Sequence, residues 1–370
     1  MELKEYRFDE VTINFDKKRV PLSGAQREKR QGNFRYYGAQ GVIDHIDDFI
    51  FDGTYLLIAE DGENLKSKKQ NIAQVVEGQF WVNNHAHIVQ GNELCNTRYL
   101  CYLLNSMDLS GYVTGSAQPK LSQANLNAVT LFLPSITVQE RIVECLYLFD
   151  KKIAVNQKIN DNLAELLQTV YQDRFGDVSA ATEQGMLSDI CSYSRDRVAV
   201  SELNTSTYFS TENMLPGKAG STDASSLPTI PQTTACHKGD TLISNIRPYF
   251  KKIVYCEGRC GCSTDVLCFT PVQPKYAAYL FSTLYADKFF AFMVAGSKGT
   301  KMPRGDKQQI MAYPVALPSD EELDEFNKLA LPILAQLHSN KVENKRLSAT
   351  RDALLPKLMS GEIEVSGIQL

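Results

Sequence analysis

The sequence has no run approaching the roughly 18 apolar residues that a membrane-spanning helix needs, so no span is expected. Its opening segment, Met1 to Glu10, is charged and has no apolar core, so a secretory signal peptide is not expected either. Cysteine is sparse and irregularly placed, nine residues in 370. That pattern predicts reduced thiols in a cytoplasmic protein rather than a disulfide framework. Positive charge is not in excess: the net charge is −4, against the usual balance of a free-standing DNA binder. Catalytic signatures are also missing. There is no Gly-x-x-x-x-Gly-Lys-[Ser/Thr] loop for ATP, no Asn-Pro-Pro-aromatic or Asp-Pro-Pro-aromatic tetrapeptide for amino-methyl transfer, and no Gly-x-Ser-x-Gly.

What is present is a chain of ordinary globular composition, 43% hydrophobic and 22% charged, long enough for two domains. The charge is segregated. Basic residues gather in Arg27, Lys29, Arg30 and Arg35, in Lys66, Lys68 and Lys69, in Arg247, Lys251 and Lys252, and in Lys298, Lys301, Arg304 and Lys307. Acids concentrate elsewhere, as in Asp320 to Glu325. This pattern allows a locally basic face on an acidic protein. Scattered solvated charge is the plainer reading.

An internal repeat runs through the chain. Tyr99 and Tyr102 correspond to Tyr276 and Tyr279. Gly115-Ser116 with Lys120-Leu121 is matched to Gly296-Ser297 with Lys301-Met302, and Leu133-Pro134 to Leu317-Pro318. Asn156, Asn160 and Leu163 match Asn340, Asn344 and Leu347, and Arg19 to Ser23 echoes Arg197 to Ser201. The matches keep one order, so a domain followed by a helix has been duplicated.

The helices are the clearest local signal. In the first, Ile142, Phe149, Asn156, Leu163 and Val170 form one heptad row, and Leu146, Ile153, Asn160 and Leu167 the other. In the second the rows are Phe326, Ile333, Asn340, Leu347 and Leu354, then Ala330, Leu337, Asn344, Arg351 and Leu358. Capping boxes are expected at Thr137-x-x-Glu140 and Ser319-x-x-Glu322. A first helix of about 37 residues would be about 55 Å long at 1.5 Å per residue. Narrow apolar seams fit a coiled coil, and a polar Asn in a seam fixes register when it meets a polar partner. An antiparallel pair would set Asn156 against Asn344 and Asn160 against Asn340. A parallel pair would match Asn156 with Asn340, and the residues leave both open. Two separate amphipathic helices are the alternative. Pro332 either kinks the second helix or restarts it.

The rest reads as mixed α+β. Strands are expected at Thr54–Ala59, Phe80–Val82, His87–Val89, Asp240–Ser244, Ile253–Cys256 and Asp265–Phe269. Turns are expected at Asp52-Gly53, Asp61-Gly62, Lys238-Gly239 and Glu257-Gly258, a loop across Ser201–Thr234, and helices at Tyr99–Ser106 and Tyr276–Phe292.

Candidate DNA-contact residues include Arg35, Tyr36, Lys66, Lys68 and Lys69, and three further segments. Asn83-Asn84-His85-Ala86-His87 offers amides that grip base edges and two imidazoles; phosphate contact, structural use and a metal or catalytic pair stay open. Asn245, Arg247, Tyr249, Lys251 and Lys252 put donors, an aromatic and cations within one short segment. Lys298, Lys301 and Arg304, with Lys120 in the first copy, sit in glycine-containing loops that let backbone N–H groups approach phosphate. Cys256, Cys260, Cys262 and Cys268 beside Cys236-His237 lack knuckle spacing and read as buried strand thiols, with zinc as the alternative.

These residues resemble a known family. The run Tyr36-Tyr-Gly-Ala-Gln-Gly-Val-Ile-Asp44, then Phe51-Asp-Gly, Ala59-Glu-Asp-Gly62 and Phe80-Trp-Val-Asn-Asn-His-Ala-His87, resembles target-recognition domains of type I restriction–modification specificity subunits. So do Gly239 to Pro248 and Arg351 to Gly361, and the resemblance covers essentially the whole chain. It implies a mixed α/β fold with two target-recognition domains, residues 1–135 and 176–318. A central spacer helix at 136–175 and a C-terminal helix and tail at 319–370 would form an antiparallel coiled coil, in a pseudo-twofold duplicated arrangement. It also implies a non-catalytic subunit that reads a bipartite, non-palindromic DNA target and docks two methyltransferase subunits, joined by restriction and translocase subunits. S-adenosylmethionine, ATP and magnesium would belong to those partners. The other functional readings are an interaction scaffold with no DNA role and a metal-dependent enzyme using the cysteines or His85 and His87.

Overall fold

In the computed structural model, residues 2–67, 70–115 and 118–365 are described. The chain divides into two compact units, Met1–Ala154 with Asn344–Leu370, and Val155–Glu343. Two long helices, Ile136–Phe175 and Asp320–Ser360, contribute to both. No helix among the described residues is long and apolar enough to cross a membrane.

Unit 1 is built on a six-stranded sheet in the order Thr12–Asn14, Ala86–Gly91, Phe51–Ala59, Ala73–Val82, Gln31–Gly38, Gly41–Ile46. Its central strand is apolar on both faces because both are covered. Leu56 and Ile58 point into a core with Leu100, Leu104, Ile142 and Leu146, while Leu57 joins Phe51, Phe80 and Ile88 on the other side. The expected turn at Asp52-Gly53 is not a turn. Gly53, at φ +127, pairs across the ladder with Gly78, at φ +80, so two glycines bend a continuous strand pair.

Unit 2 holds two four-stranded sheets. One runs Cys191–Tyr193, Val266–Pro271, Thr241–Ser244, Ile253–Tyr255; the other Arg197–Ala199, Gln232–Cys236, Cys260–Cys262, Tyr208–Phe209. The helix expected at Tyr276–Phe292 is two helices, Ala277–Tyr285 and Asp287–Ala295. Ala286 breaks them at ψ 142, with no glycine or proline to announce it.

Every seam position named from the heptads is buried or half-buried. Within each unit the helix segments pair antiparallel. In unit 2, Asn340 Nδ2 donates to Asn160 Oδ1 at 2.8 Å, and Asn156 Nδ2 to Glu343 Oε2 at 2.7 Å. In unit 1, Arg351 meets Asp150 at 2.5 Å and Asn344 Nδ2 donates to Ile153 O at 3.4 Å. Rising numbers on one helix thus meet falling numbers on the other. Arg351, the charged break in the seam, is satisfied by Asp150, which also accepts from Tyr102.

The second helix neither stops nor restarts at Pro332. Pro332 faces solvent, where the carbonyl its ring deprives of a donor is open to water. The Ser319–Glu322 capping box forms, with bonds of 3.2 and 2.8 Å. The first helix starts earlier than its expected box. Ser135 O takes the first amides, and buried Gln139 ties the helix start to Asn96, Leu94 and Pro134.

Candidate functional site

In unit 1, strands Phe51–Ala59 and Ala86–Gly91 pair up to Ala59 and Ala86. One more bond, Glu60 N to His85 O at 2.9 Å, carries the pairing into the loops. Asp61 then bridges Lys120, and Thr114 and Lys120 close their own loop with two bonds of 2.8 Å. Gly62 N donates to Pro119 O at 3.2 Å, and Leu121 N to Glu60 O at 2.8 Å.

Unit 2 repeats this frame bond for bond. Ser244 pairs with Val266, and Asn245 N donates to Asp265 O at 2.8 Å. Ile246 bridges Arg304, Lys298 and Arg304 exchange two bonds of 2.9 Å, Arg247 N donates to Pro303 O at 2.8 Å, and Gly305 N to Asn245 O at 3.3 Å. Helix caps follow at Ser122 and Asp306. This corrects the repeat register. Lys120 corresponds to Arg304, not Lys301, and Gly115, at φ +84, corresponds to Gly299, at φ +102, not Gly296. The two loops of unit 2 that the sequence shows far apart, around Arg247 and around Lys301, therefore form one edge.

The candidates divide on this frame. Asn84, His85, Lys66 and Lys120 are exposed on the unit 1 edge. His85 Nδ1 lies 2.7 Å from Asp61 Oδ2, Lys120 Nζ 3.3 Å from Glu60, and Lys66 Nζ donates to Gly115 O at 3.0 Å. His87 is only 1% exposed and does not face solvent. Its ring sits 2.6 Å from Asp16 Oδ2 and 2.8 Å from Leu121 O, holding the Lys120 loop from beneath. Burial works to raise the Asp16 carboxyl. The His87 bond, the Ile88 amide and the charges of His87 and Arg19 outweigh it and hold Asp16 below the ordinary aspartate value. The sequence reasoning missed this network because Asp16, Arg19 and Glu60 carry no local signature.

Tyr36 is fully buried, its hydroxyl accepting from Leu22 N at 2.8 Å under the Arg27 guanidinium, so it is a core residue and not a contact candidate. Asn83 is likewise buried, its Oδ1 accepting from His85 N. Arg35 lies outside the edge frame on Gln31–Gly38, bonded to Glu77 O at 2.5 Å. Lys68 and Lys69 fall outside the described residues.

In unit 2, Asn245 is buried and its Oδ1 has no hydrogen-bond partner among the described residues. Lys298 pairs with Asp306 at 2.5 Å and Arg304 with Asp265 at 2.9 Å. Lys251 meets Asp287 at 2.8 Å, as does Lys218, which sequence reading did not single out. These two lysines pull the Asp287 carboxyl down to about 2. Lys252 Nζ donates to Thr211 O at 2.5 Å, and burial lowers its pKa. Among the described residues, the Arg247 guanidinium and the Lys301 ammonium make no hydrogen bond or ion pair. Tyr249 is 50% and Phe250 39% exposed, their ring centroids 4.7 Å apart. The basic clusters are thus not a bare positive patch. Lys251, Lys298 and Arg304 are each paired with an adjacent acid, which offsets part of the local charge.

The cysteines of unit 2 are interior. Cys236, Cys256, Cys260, Cys262 and Cys268 pack with Leu242, Val254 and Val266, and Cys260 Sγ donates to Cys256 Sγ at 3.5 Å. Among the described residues no three His, Cys, Asp or Glu side chains are grouped to hold a metal ion.

Residues 2–165 match the family of type I restriction modification DNA specificity domains. S.HindORF215P of Haemophilus influenzae, named as a type I restriction enzyme specificity subunit, is 35% identical over 138 residues, 37% of this chain and 35% of that one. The EcoprrI specificity subunit of Escherichia coli is 30% identical over 125 residues, 33% of this chain and 30% of that one. The chain therefore spans about a third of the length of the curated relatives it matches. The crystal structure of a type I restriction-modification S subunit from M. genitalium aligns with a TM-score of 0.55 at 15% identity, covering 97% of this chain and 96% of that one, and shares its fold.

Proposed function

We infer, from a chain that is a relative of type I restriction specificity subunits and carries their DNA specificity domain over residues 2–165, a non-catalytic DNA-reading role. Each unit reads one half of a split target. The observation that carries this reading is the repeated edge. Both units build it with the same backbone bonds, yet its side chains differ: Asp61, His85 and Lys120 in one, Ile246, Asp265 and Arg304 in the other. One scaffold with two different surfaces is what two unlike half-sites require, and the target is accordingly non-palindromic. The domain limits are 1–135 and 176–318, with the long helices as a spacer that fixes half-site separation.

Methyltransferase subunits dock on the helices, and restriction and translocase subunits join them. Val155, Ile159 and Leu166 recur at heptad-like spacing on the first helix and remain exposed, an apolar stripe beside the seam. Methyl transfer with S-adenosylmethionine and ATP-driven steps with magnesium belong to those partners. Acids pair with Lys120, Lys298 and Arg304 on the edges, so partner subunits share the neutralisation of phosphate.

The test is duplex-DNA binding by the chain with its methyltransferase subunits across a salt series. A log–log slope set by several phosphate contacts supports the reading. Binding that ignores salt, or none at all, removes it. Exchanging residues 1–135 for those of a relative changes one half-site in a methylation map. Change in both halves, or in neither, contradicts the division of labour.

A further inference from the structure

The positive-φ position of the edge is filled differently in the two units. In unit 1 it is Gly62, at φ +122, with its N–H on Pro119 O. In unit 2 it is Arg247, at φ 51 and ψ 63, with its N–H on Pro303 O. The first copy meets the turn with a residue that has no Cβ. The second places one of the longest side chains where an L-residue is strained. The turn also ends left-handed, at Lys251, and Lys218, at φ 63, donates its N–H to Lys251 O at 2.9 Å. Among the described residues these three are the non-glycine positions with positive φ, so the strain of the chain is gathered here.

Strain kept in one place raises the question of its use. Lys218 and Lys251 are spent on Asp287, Lys252 on Thr211 and Arg304 on Asp265. The Arg247 guanidinium is spent on nothing within the described residues. Buried Pro248 follows it and pins the turn, and Tyr249 stands half-exposed beside it.

We propose that Arg247 is the specificity-determining residue of unit 2 and reads a guanine through the major groove. The assignment rests on the DNA-reading role above. A guanidinium presents parallel N–H groups that match O6 and N7 of guanine, a pattern no other base offers in that groove. A contact to phosphate needs no such fixed backbone, and exposed Lys301 serves that purpose. Tyr249 packs against the duplex next to the guanine.

The experiment compares methylation motifs and DNA binding for the wild-type complex, R247G, R247K and K301A. R247G removes the side chain but keeps the left-handed turn, as Gly62 does, so it melts no lower than wild type. It accepts other base pairs at one G·C position of one half-site, with discrimination there falling roughly tenfold or more. R247K does not restore it, because an ammonium cannot bond both acceptors in a fixed fork. K301A weakens all sequences alike and lowers the salt slope by about one. An unchanged motif in R247G overturns the assignment. So does a uniform loss with a reduced salt slope, which marks Arg247 as a phosphate contact. If the wild-type complex itself shows no salt-dependent duplex binding, the DNA-reading role falls and the assignment falls with it.

Discussion

Asp16 is a buried carboxylate with three partners from two parts of unit 1: Arg19 at 3.4 Å, then His87 at 2.6 Å and the Ile88 amide at 2.8 Å on one strand. Its pKa lies below the ordinary 3.8 in the folded chain. A carboxyl lowered by folding stabilises the fold above its unfolded pKa. That contribution is lost as pH falls through the lower folded value. D16N takes the buried charge from Arg19, whose other acidic partner is Glu60, and weakens the bonds to His87 and the Ile88 amide; it is expected to cost roughly 3 kcal/mol at about pH 7. The gap between D16N and wild type narrows as pH drops below 3.8, read from urea midpoints across acid pH. A gap that is constant with pH contradicts the assigned role. Little of this was legible in the sequence. His85 and His87 looked like a pair, but the strand begins at Ala86, leaving the His85 side chain 51% exposed in the loop and His87 inside. Separating them takes the three-dimensional neighbours of His87.

Periodicity made the long helices readable, because heptads repeat a local rule many times over. The one charged and four amide positions in the seams stood out for the same reason, and the structure gives each of them a polar partner. Breaks without glycine or proline, such as Ala286, were not readable, since tertiary packing imposes them. The seam asparagines yield a prediction. N340L leaves Asn160 without its 2.8 Å partner in a buried seam and is expected to destabilise unit 2 by about 1–3 kcal/mol. N160L/N340L replaces both polar groups with apolar ones and recovers most of that loss, at the expense of register. A double-mutant cycle in urea measures the coupling. Additive losses would show that the two amides do not act as a pair. P332A restores a helical N–H on an exposed face and is expected to raise stability, by up to about 3 kcal/mol.

At the scale of the whole chain, the duplication was visible as an ordered series of weak matches, and its register slipped between Gly115 and Lys120. There identity misleads, because Lys120 finds Lys301 in the sequence but occupies the place of Arg304 in the backbone. Hydrogen-bond geometry survives where residue types change, as the proposed reading of two unlike half-sites requires. The helices, alike in both copies, would in the proposed function carry the part that stays the same. Inserting one heptad into each long helix, at positions that face each other across the antiparallel seam, keeps every seam row in phase. At 1.5 Å per residue the pair lengthens by about 10 Å. With base pairs about 3.4 Å apart, the spacer of the recognised target should grow by about three base pairs while both half-sites stay the same. Methylation mapping of the insertion variant reads this directly. An unaltered spacer in a folded, DNA-binding variant shows that the helices do not measure the distance. Altered half-sites would place base reading in the helices rather than on the repeated edges.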